Sequence, residues 1–333
     1  MDFCIAIMGT GKSAEKMAQA VNETEGATAY AVASRDKERA KKFALSFQFE
    51  KAYGSYEEML KDDKIDLVYI ATPHSFHHEH MLSCFRHGKN VMCEKLFTTS
   101  YHEAKETLLF AEEQRIFVAE AVSLRYMPIM HELQSLIAKG VIGKIHLISA
   151  YYGKPVLSKV ELLKKEKSGG AMYHLVPYPL HFISMCMQAA WNDPSQEKQP
   201  YAVCYARDNY STDVELQNTL TLVYPGHILA TAVTTMYAEI GKKGILYGDK
   251  GKIVVDNIKY PQRIEVYNEQ GKELPVVEGG SADYALKYPL EAAKQAIRNG
   301  HIQCDELPHQ EILQMIRICL LYTSPSPRDT ERS

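Results

Sequence analysis

The chain reads as an α/β protein in two parts: an N-terminal parallel, doubly wound sheet, then an α+β domain with a mostly antiparallel open sheet. Two observations predict this. Short apolar runs alternate with polar helical stretches over the first third of the chain, which is the pattern of right-handed β-α-β crossovers. After about residue 121 the runs lengthen, alternate apolar with polar residues and are separated by turn signals, as in an antiparallel sheet with one open face. The expected division is residues 1–121, residues 122–322, and a tail over 323–333.

The first part breaks into elements in order. Phe3 to Met8 is a strand, Lys12 to Asn22 a helix, Ala27 to Ser34 a strand and Asp36 to Phe47 a helix. Tyr56 to Lys61 is a helix opening after Ser55, and Asp66 to Ala71 a strand of Leu, Val, Tyr and Ile. His77 to His87 is a helix closed by Gly88, and Asn90 to Cys93 a strand. Tyr101 to Gln114 and Phe117 to Ala119 follow as helix and strand. In the second part, Met127 to Lys139 is a helix capped by Gly140. Strands follow at Ile145 to Tyr152, Ala202 to Asp208, Val214 to Tyr224, Leu229 to Ala238, Lys243 to Gly248, Lys252 to Asp256 and Ile264 to Tyr267. Two helices, Tyr284 to Asn299 and Pro308 to Leu321, are expected to close that domain. The Ser-, Pro- and Arg-rich tail from Thr323 to Ser333 reads as disordered.

Composition narrows the function classes. With 333 residues, 46% apolar residues and a net charge of −3, the chain reads as an ordinary globular protein. Nothing in that balance points to nucleic acid or a membrane surface. No run approaches the roughly 18 to 20 apolar residues of a membrane span, and the N-terminus enters a strand with no signal-peptide pattern. The cysteines, at 4, 84, 93, 186, 204, 304 and 319, are odd in number and widely spaced. They suit reduced thiols, so a cytoplasmic protein is expected.

The chemistry begins at Gly9-Thr10-Gly11-Lys12-Ser13-Ala14, a glycine turn between the first strand and the first helix. This is the Rossmann-type fingerprint of a dinucleotide site. The glycines permit a tight turn and close approach to a pyrophosphate, Ala14 takes the small third position, and the helix N-terminus offers amides to the anion. The second strand ends Ala33-Ser34-Arg35, where an NAD enzyme usually carries an acid about 20 residues past the turn. A hydroxyl and a guanidinium there favour the 2′-phosphate of NADP(H). Asp36, one residue on, keeps NAD(H) open. Lys95 closes the strand Asn90 to Cys93 behind Glu94, at the carboxyl edge where ligands of open parallel sheets bind.

With these residues in view, the sequence resembles the Gfo/Idh/MocA oxidoreductases, within them the dihydrodiol dehydrogenase and D-xylose dehydrogenase group. The resemblance runs from residue 3 to about 320. Ala71-Thr72-Pro73-His74-Ser75-Phe76-His77 is similar to the family's ATPNxxH loop, with His74 for Asn. Glu94-Lys95-Leu96 is similar to its EKP motif, with Leu96 for Pro. Glu120-Ala121, Arg125-Tyr126 and Pro128 match its bridging segment, and Gly169 to Tyr178 its GGALxDxGxY segment, with His174 for Asp and Val176 for Gly.

The resemblance implies hydride transfer between a nicotinamide and a carbinol or carbonyl of a small molecule. It implies Tyr178 as the acid/base, assisted by Lys95, with cofactor contacts from Thr72, Pro73, His77 and Glu94. Arg125 and Tyr126 are implied near the substrate, and a homodimer through the C-terminal sheet. The antiparallel sheet itself leaves a face with Tyr151, Tyr205, Val223 and Tyr237 as candidate lining. His174 precedes Tyr178 by four residues, so on one helix the two would share a face; a relay or substrate role and a purely structural one stay open. The residues also admit a non-catalytic NAD(P)-binding sensor on the same fold. The cluster His74, His77, His78 and His80 invites a zinc reading, but no Asp, Cys or Glu ligand follows at a recognisable spacing. No metal is expected.

Overall fold

The computed structural model describes residues 2–164, 168–191, 200, 202–208, 214–283 and 285–320, with the backbone alone at 160, 161, 202–208 and 320. The expected disordered tail lies outside these residues. The described residues divide into two units, one formed by residues up to 123 together with 283–320, the other by residues 124–282.

The first unit is built on six parallel strands. They are β1 (Phe3–Met8), β2 (Ala27–Ala33), β3 (Lys51–Tyr53), β4 (Leu67–Ile70), β5 (Asn90–Cys93) and β6 (Val118–Glu120), in the spatial order β3-β2-β1-β4-β5-β6. The central strands are buried nearly throughout, as an apolar run covered on both faces must be. The edge strand β3 was not expected, because Lys51-Ala52-Tyr53 is too short and too polar to stand out. Helices α1 (Lys12–Asn22), α2 (Lys37–Phe47), α3 (Tyr56–Leu60), α4 (His77–Arg86) and α5 (Tyr101–Gln114) lie between the strands. Side-chain caps start three of them. Asp36 accepts from the amides of Glu38 and Arg39, Ser55 from Glu58, and Ser100 from Glu103. On α1 the fully buried small residues Ala14 and Ala18 sit one turn apart, on the face turned from solvent.

The register of these strands decides what the unit can bind. Ala33, Met8, Ile70, Cys93 and Glu120 stand side by side as cross-strand partners. The residues just beyond them continue the ladder: Gly9 N donates to Ala33 O, Ala71 N to Met8 O, Glu94 N to Ile70 O and Ala121 N to Cys93 O. Ser34, Gly9, Ala71, Glu94 and Ala121 therefore form one row along the carboxyl edge.

The second unit contains α7 (Pro128–Ala138) and, around the short helices α6 (Ser123–Tyr126) and α8 (Ala171–His174), the long helix α9 (Pro177–Ala190). Its strands are β7 (Ile145–Gly153), β8 (Ala202–Asp208), β9 (Gln217–Tyr224), β10 (Ile228–Thr235), β11 (Gly244–Gly248), β12 (Gly251–Val255), β13 (Arg263–Asn268) and β14 (Val277–Glu278). They form one sheet in the order β14-β13-β12-β11-β7-β10-β9-β8. The expected antiparallel pairing holds except between β10 and β7, which run parallel. Helices α7 and α9 pack on one face of this sheet. The opposite face carries the cross-strand row Tyr247, Leu147, Leu229 and Val223, with Leu229 44% and Tyr247 38% exposed.

The last two helices, α10 (Lys287–Arg298) and α11 (His309–Leu320), correct the expected division. They do not close the second domain but return to the first, α10 against α1 and α11 against α5. The connection between them is tied to β6: Val118 N donates to Ile302 O, and His309 Nε2 lies 3.0 Å from Val118 O. Among the described residues, no helix is long and apolar enough to cross a membrane.

Candidate active site

In the first unit the glycine turn opens onto a cleft of about 500 Å³. Its walls are Gly9, Thr10, Gly11, Lys12 and Ser13 from the turn, Ser34, Arg35, Asp36 and Arg39 from the end of β2 and the start of α2, Tyr56 from α3, and Ala71, Thr72 and Pro73 after β4. Nine of the residues expected to contact the cofactor meet here: Gly9 to Ser13, Ser34, Arg35, Thr72 and Pro73. Gly9 has φ +110°, and a Cβ on it would stand 2.9 Å from the Ala71 carbonyl oxygen. Only glycine allows the turn to lie that close to the end of β4. Gly11 differs, since a Cβ there would meet nothing within 4 Å. The α1 N-terminus behind it presents amides that lack intrahelical acceptors, a donor set that fits a pyrophosphate. Ala14 is fully buried and packs the helix rather than lining the cleft.

The Asp36 carboxylate is engaged as the α2 cap, its Oδ1 lying 3.0 Å from Glu38 N and 3.2 Å from Arg39 N. That capping turn brings Arg39 to the cleft beside Arg35. Sequence reasoning missed Arg39 and Tyr56; a cationic residue four positions after Arg35 in a helical first turn was the available signal. Behind this wall the Tyr56 ring meets His80 edge-on at 5.0 Å, Phe76 stacks on His80 at 5.8 Å, and His80 Nδ1 hydrogen-bonds with Thr72 Oγ1 at 2.9 Å. Burial chiefly, with the nearby Arg35 charge, pushes the His80 pKa down to about 4.

His77 corrects its expected role. Its ring is wholly buried and does not line the cleft. Nδ1 lies 2.9 Å from the Leu96 carbonyl oxygen and Nε2 2.9 Å from the Thr72 carbonyl oxygen, and a neutral imidazole donates to one of the two. Burial lowers its pKa. His77 thus braces the loop after β4 to the loop after β5. His78 Nδ1 hydrogen-bonds with Thr107 Oγ1 at 2.8 Å, so each of these three rings is engaged with its own protein neighbour.

Lys95 follows β5 on the same carboxyl edge, half-buried, and its peptide with Leu96 is cis. Burial lowers the pKa of its ammonium, the Glu94 and Glu120 carboxylates oppose that shift, and Lys16 adds to it. Both carboxylates are held in place. Glu94 accepts from the Tyr69 hydroxyl, and the buried Glu120 Oε1 from Phe97 N at 2.8 Å.

The second unit holds the other named residues. His174 ends α8 and Tyr178 lies in the first turn of α9, with Leu175 and Val176 between the two helices. The two are not on one continuous helix, so spacing alone does not give them a common face. Glycines 169 and 170 lead into α8, whose first amides are capped by Glu215: Ala171 N donates to its carbonyl and Met172 N to Oε1 at 2.8 Å. The Tyr178 ring stacks on Tyr152 at 4.7 Å, and the Lys259 ammonium lies 5.0 Å from the Tyr178 ring centre. Arg125 and Tyr126 are enclosed, 2% and 5% exposed, and Arg125 Nη2 donates to Gln188 Oε1 at 3.5 Å.

Known proteins are similar to this chain in sequence and in fold. Residues 3–121 match the oxidoreductase family with an NAD-binding Rossmann fold, and residues 130–254 the GFO/IDH/MocA C-terminal domain. The chain belongs to the Gfo/Idh/MocA oxidoreductase family. A trans-1,2-dihydrobenzene-1,2-diol dehydrogenase from Xenopus laevis is 31% identical over 243 residues, 73% of this chain and 71% of that protein. Solved structures share the fold at lower identity. A levoglucosan dehydrogenase in complex with NADH and levoglucosan superposes with a TM-score of 0.84 at 16% identity, covering 100% of this chain and 98% of that one. A 3-ketoreductase from Actinomadura kijaniata in complex with NADP and TDP-benzene gives 0.81 at 19% identity, covering 96% of each.

The two glycines are expected to fail differently. Gly9→Ala meets backbone at positive φ and should cost about 1–3 kcal/mol of stability. Gly11→Ala should leave the melting temperature within about 1 °C and weaken nicotinamide dinucleotide binding at least roughly tenfold. Thermal melts and a cofactor titration check both; a Gly11→Ala protein that melts early but binds normally would contradict the assignment.

Proposed function

We propose that the protein is an NADP(H)-dependent dehydrogenase or reductase acting on CH–OH groups, with Tyr178 as acid/base assisted by Lys95. The substrate class is a sugar, cyclic polyol or trans-dihydrodiol, a reading supported by likeness to the dihydrobenzenediol and levoglucosan dehydrogenases above. The observation that carries the reading is the cleft: a glycine-lined anion cradle with two guanidiniums, Arg35 and Arg39, on the wall where a dinucleotide's ribose lies.

Each residue has a definite task. The amides of the glycine turn and the α1 N-terminus would hold the pyrophosphate, and Arg35 and Arg39 would take the 2′-phosphate. The bound nicotinamide supplies the site that accepts or gives the hydride. In oxidation the hydride leaves the carbinol carbon with both electrons, and the phenolate oxygen of Tyr178 takes the hydroxyl proton. Reduction returns that proton to the new alkoxide. An unperturbed phenol has a pKa of about 10, so the phenolate needs a cation, and Lys95 is assigned to provide it.

Purified protein with NADPH or NADP+ and a panel of sugars, cyclic polyols and dihydrodiols tests this. Wild type should turn over, and Tyr178→Phe and Lys95→Met should each lower kcat by about 10²–10⁴-fold with NADPH affinity retained. If wild type binds NADPH yet turns over nothing in the panel, the enzyme reading fails and a non-catalytic NADP(H) sensor stands in its place.

We also propose a homodimer. The row Tyr247, Leu147, Leu229 and Val223 gives the second unit an apolar outer sheet face suited to a second copy of itself. Sedimentation should give twice the chain mass for wild type and the single mass for Leu147→Lys combined with Leu229→Lys. A monomeric wild type would refute the dimer.

A further inference from the structure

The corner of the second unit around Tyr178 contains a cation that no family motif in the sequence singles out. Lys259 lies in the connection between β12 and β13, 5.0 Å from the ring centre of Tyr178 and 5.1 Å from that of Tyr260. We propose that Lys259 is a positioning residue that sets the acidity of the Tyr178 phenol. This rests on the reading of Tyr178 as the acid/base.

Three observations support it. The connection carrying Lys259 is fixed before any ligand arrives. Asn257 Oδ1 accepts from the amides of both Lys259 (3.0 Å) and Tyr260 (3.3 Å), Asp256 Oδ1 accepts from Gln262 N and Arg263 N, and Ile258 is fully buried with its amide 2.6 Å from Lys242 O. An ammonium on so constrained a backbone acts as a placed charge rather than a roaming one.

The second observation concerns which phenol can respond. Tyr178 and Tyr152 stack at 4.7 Å with a 20° angle between rings, but the two differ in environment. Tyr152 is 2% exposed, and burial, with the Tyr260 and Glu239 charges, drives its pKa up. It stays a phenol and serves as an apolar platform. Tyr178 is half-buried and carries the ammonium over its ring. A cation in that place is attracted to the neutral ring and more strongly to the phenolate, so it favours ionisation.

The third is the surrounding charge. Glu239, the carboxylate that acts on Tyr152, forms an ion pair with Lys242 at 3.6 Å. Glu215 is engaged in capping α8. Other ionisable groups of the second unit among the described residues include His174 at the end of α8, His181 one turn beyond Tyr178 on α9, and Tyr260. One unit charge at about 5 Å, at an effective dielectric between protein surface and water, corresponds to roughly one pKa unit on the phenol.

The test compares Lys259→Met, Lys259→Gln and Lys259→Arg in the full chain. The ultraviolet phenolate titration of each, taken as a difference from the same protein carrying Tyr178→Phe, reads Tyr178 directly and needs no substrate. Removing the charge should move that titration up by about one unit and the acid limb of the kcat profile for oxidation with it, a roughly tenfold loss of rate near neutral pH with KM little changed. Lys259→Arg should restore both. An unshifted Tyr178 titration in the Met and Gln proteins overturns the proposal, and so does an Arg variant that behaves like Met. If Tyr178→Phe keeps full activity, the acid/base reading itself fails, while the titration still decides what Lys259 does to the phenol.

Discussion

The close packing of Gly9 against the Ala71 carbonyl is the constraint on which the first unit's chemistry depends. Because no side chain intervenes, the turn after β1 lies flush with the end of β4, and the α1 N-terminus points along the carboxyl edge. The same edge then presents Ser34 and Arg35 on one side and, beyond Ala71, Glu94 and Lys95 on the other. His77 secures that arrangement from below by bridging Thr72 and Leu96, a structural task that explains why a histidine beside the cleft is buried out of reach of it.

The departures from the family pattern leave the fold intact. Leu96 and Val176, which stand for Pro and Gly, are both buried and serve packing. His174 stands at the end of α8, and the Tyr152 platform and Lys259 belong to the same unit as Tyr178. The oxidoreductase chemistry therefore has local electrostatics that the motif order alone does not convey.

Much of this was legible in the sequence because it is local. Strand and helix alternation and the glycine turn depend on periodicity and short motifs, whereas Tyr178 was singled out only through the family resemblance. What was not legible depends on long-range packing. The helices α10 and α11 are amphipathic, and an amphipathic stripe does not say which unit it will cover. The parallel pairing of β7 with β10 follows from a connection through two helices and two strands, which period-two alternation cannot encode. Arg39 reaches the cleft only because Asp36 caps α2, and Lys259 reaches Tyr178 only through a connection folded on Asn257. His77 was singled out as a cofactor contact because its loop resembles the family's ATPNxxH motif; its burial is invisible in the sequence.

The central claim is that the first unit reads a nicotinamide dinucleotide through its anionic groups, with the 2′-phosphate held by Arg35 and Arg39. Dissociation constants for NADPH and NADH, measured by calorimetry on wild type and on Arg39→Ala, test it most directly. Charge-assisted hydrogen bonds of this kind contribute about 1.5–3 kcal/mol. Wild type should prefer NADPH by roughly ten- to a hundredfold, and Arg39→Ala should lose most of that preference while binding NADH as before. Equal affinity for the two cofactors in wild type, or an Arg39→Ala protein that still prefers NADPH to the full extent, would contradict the account.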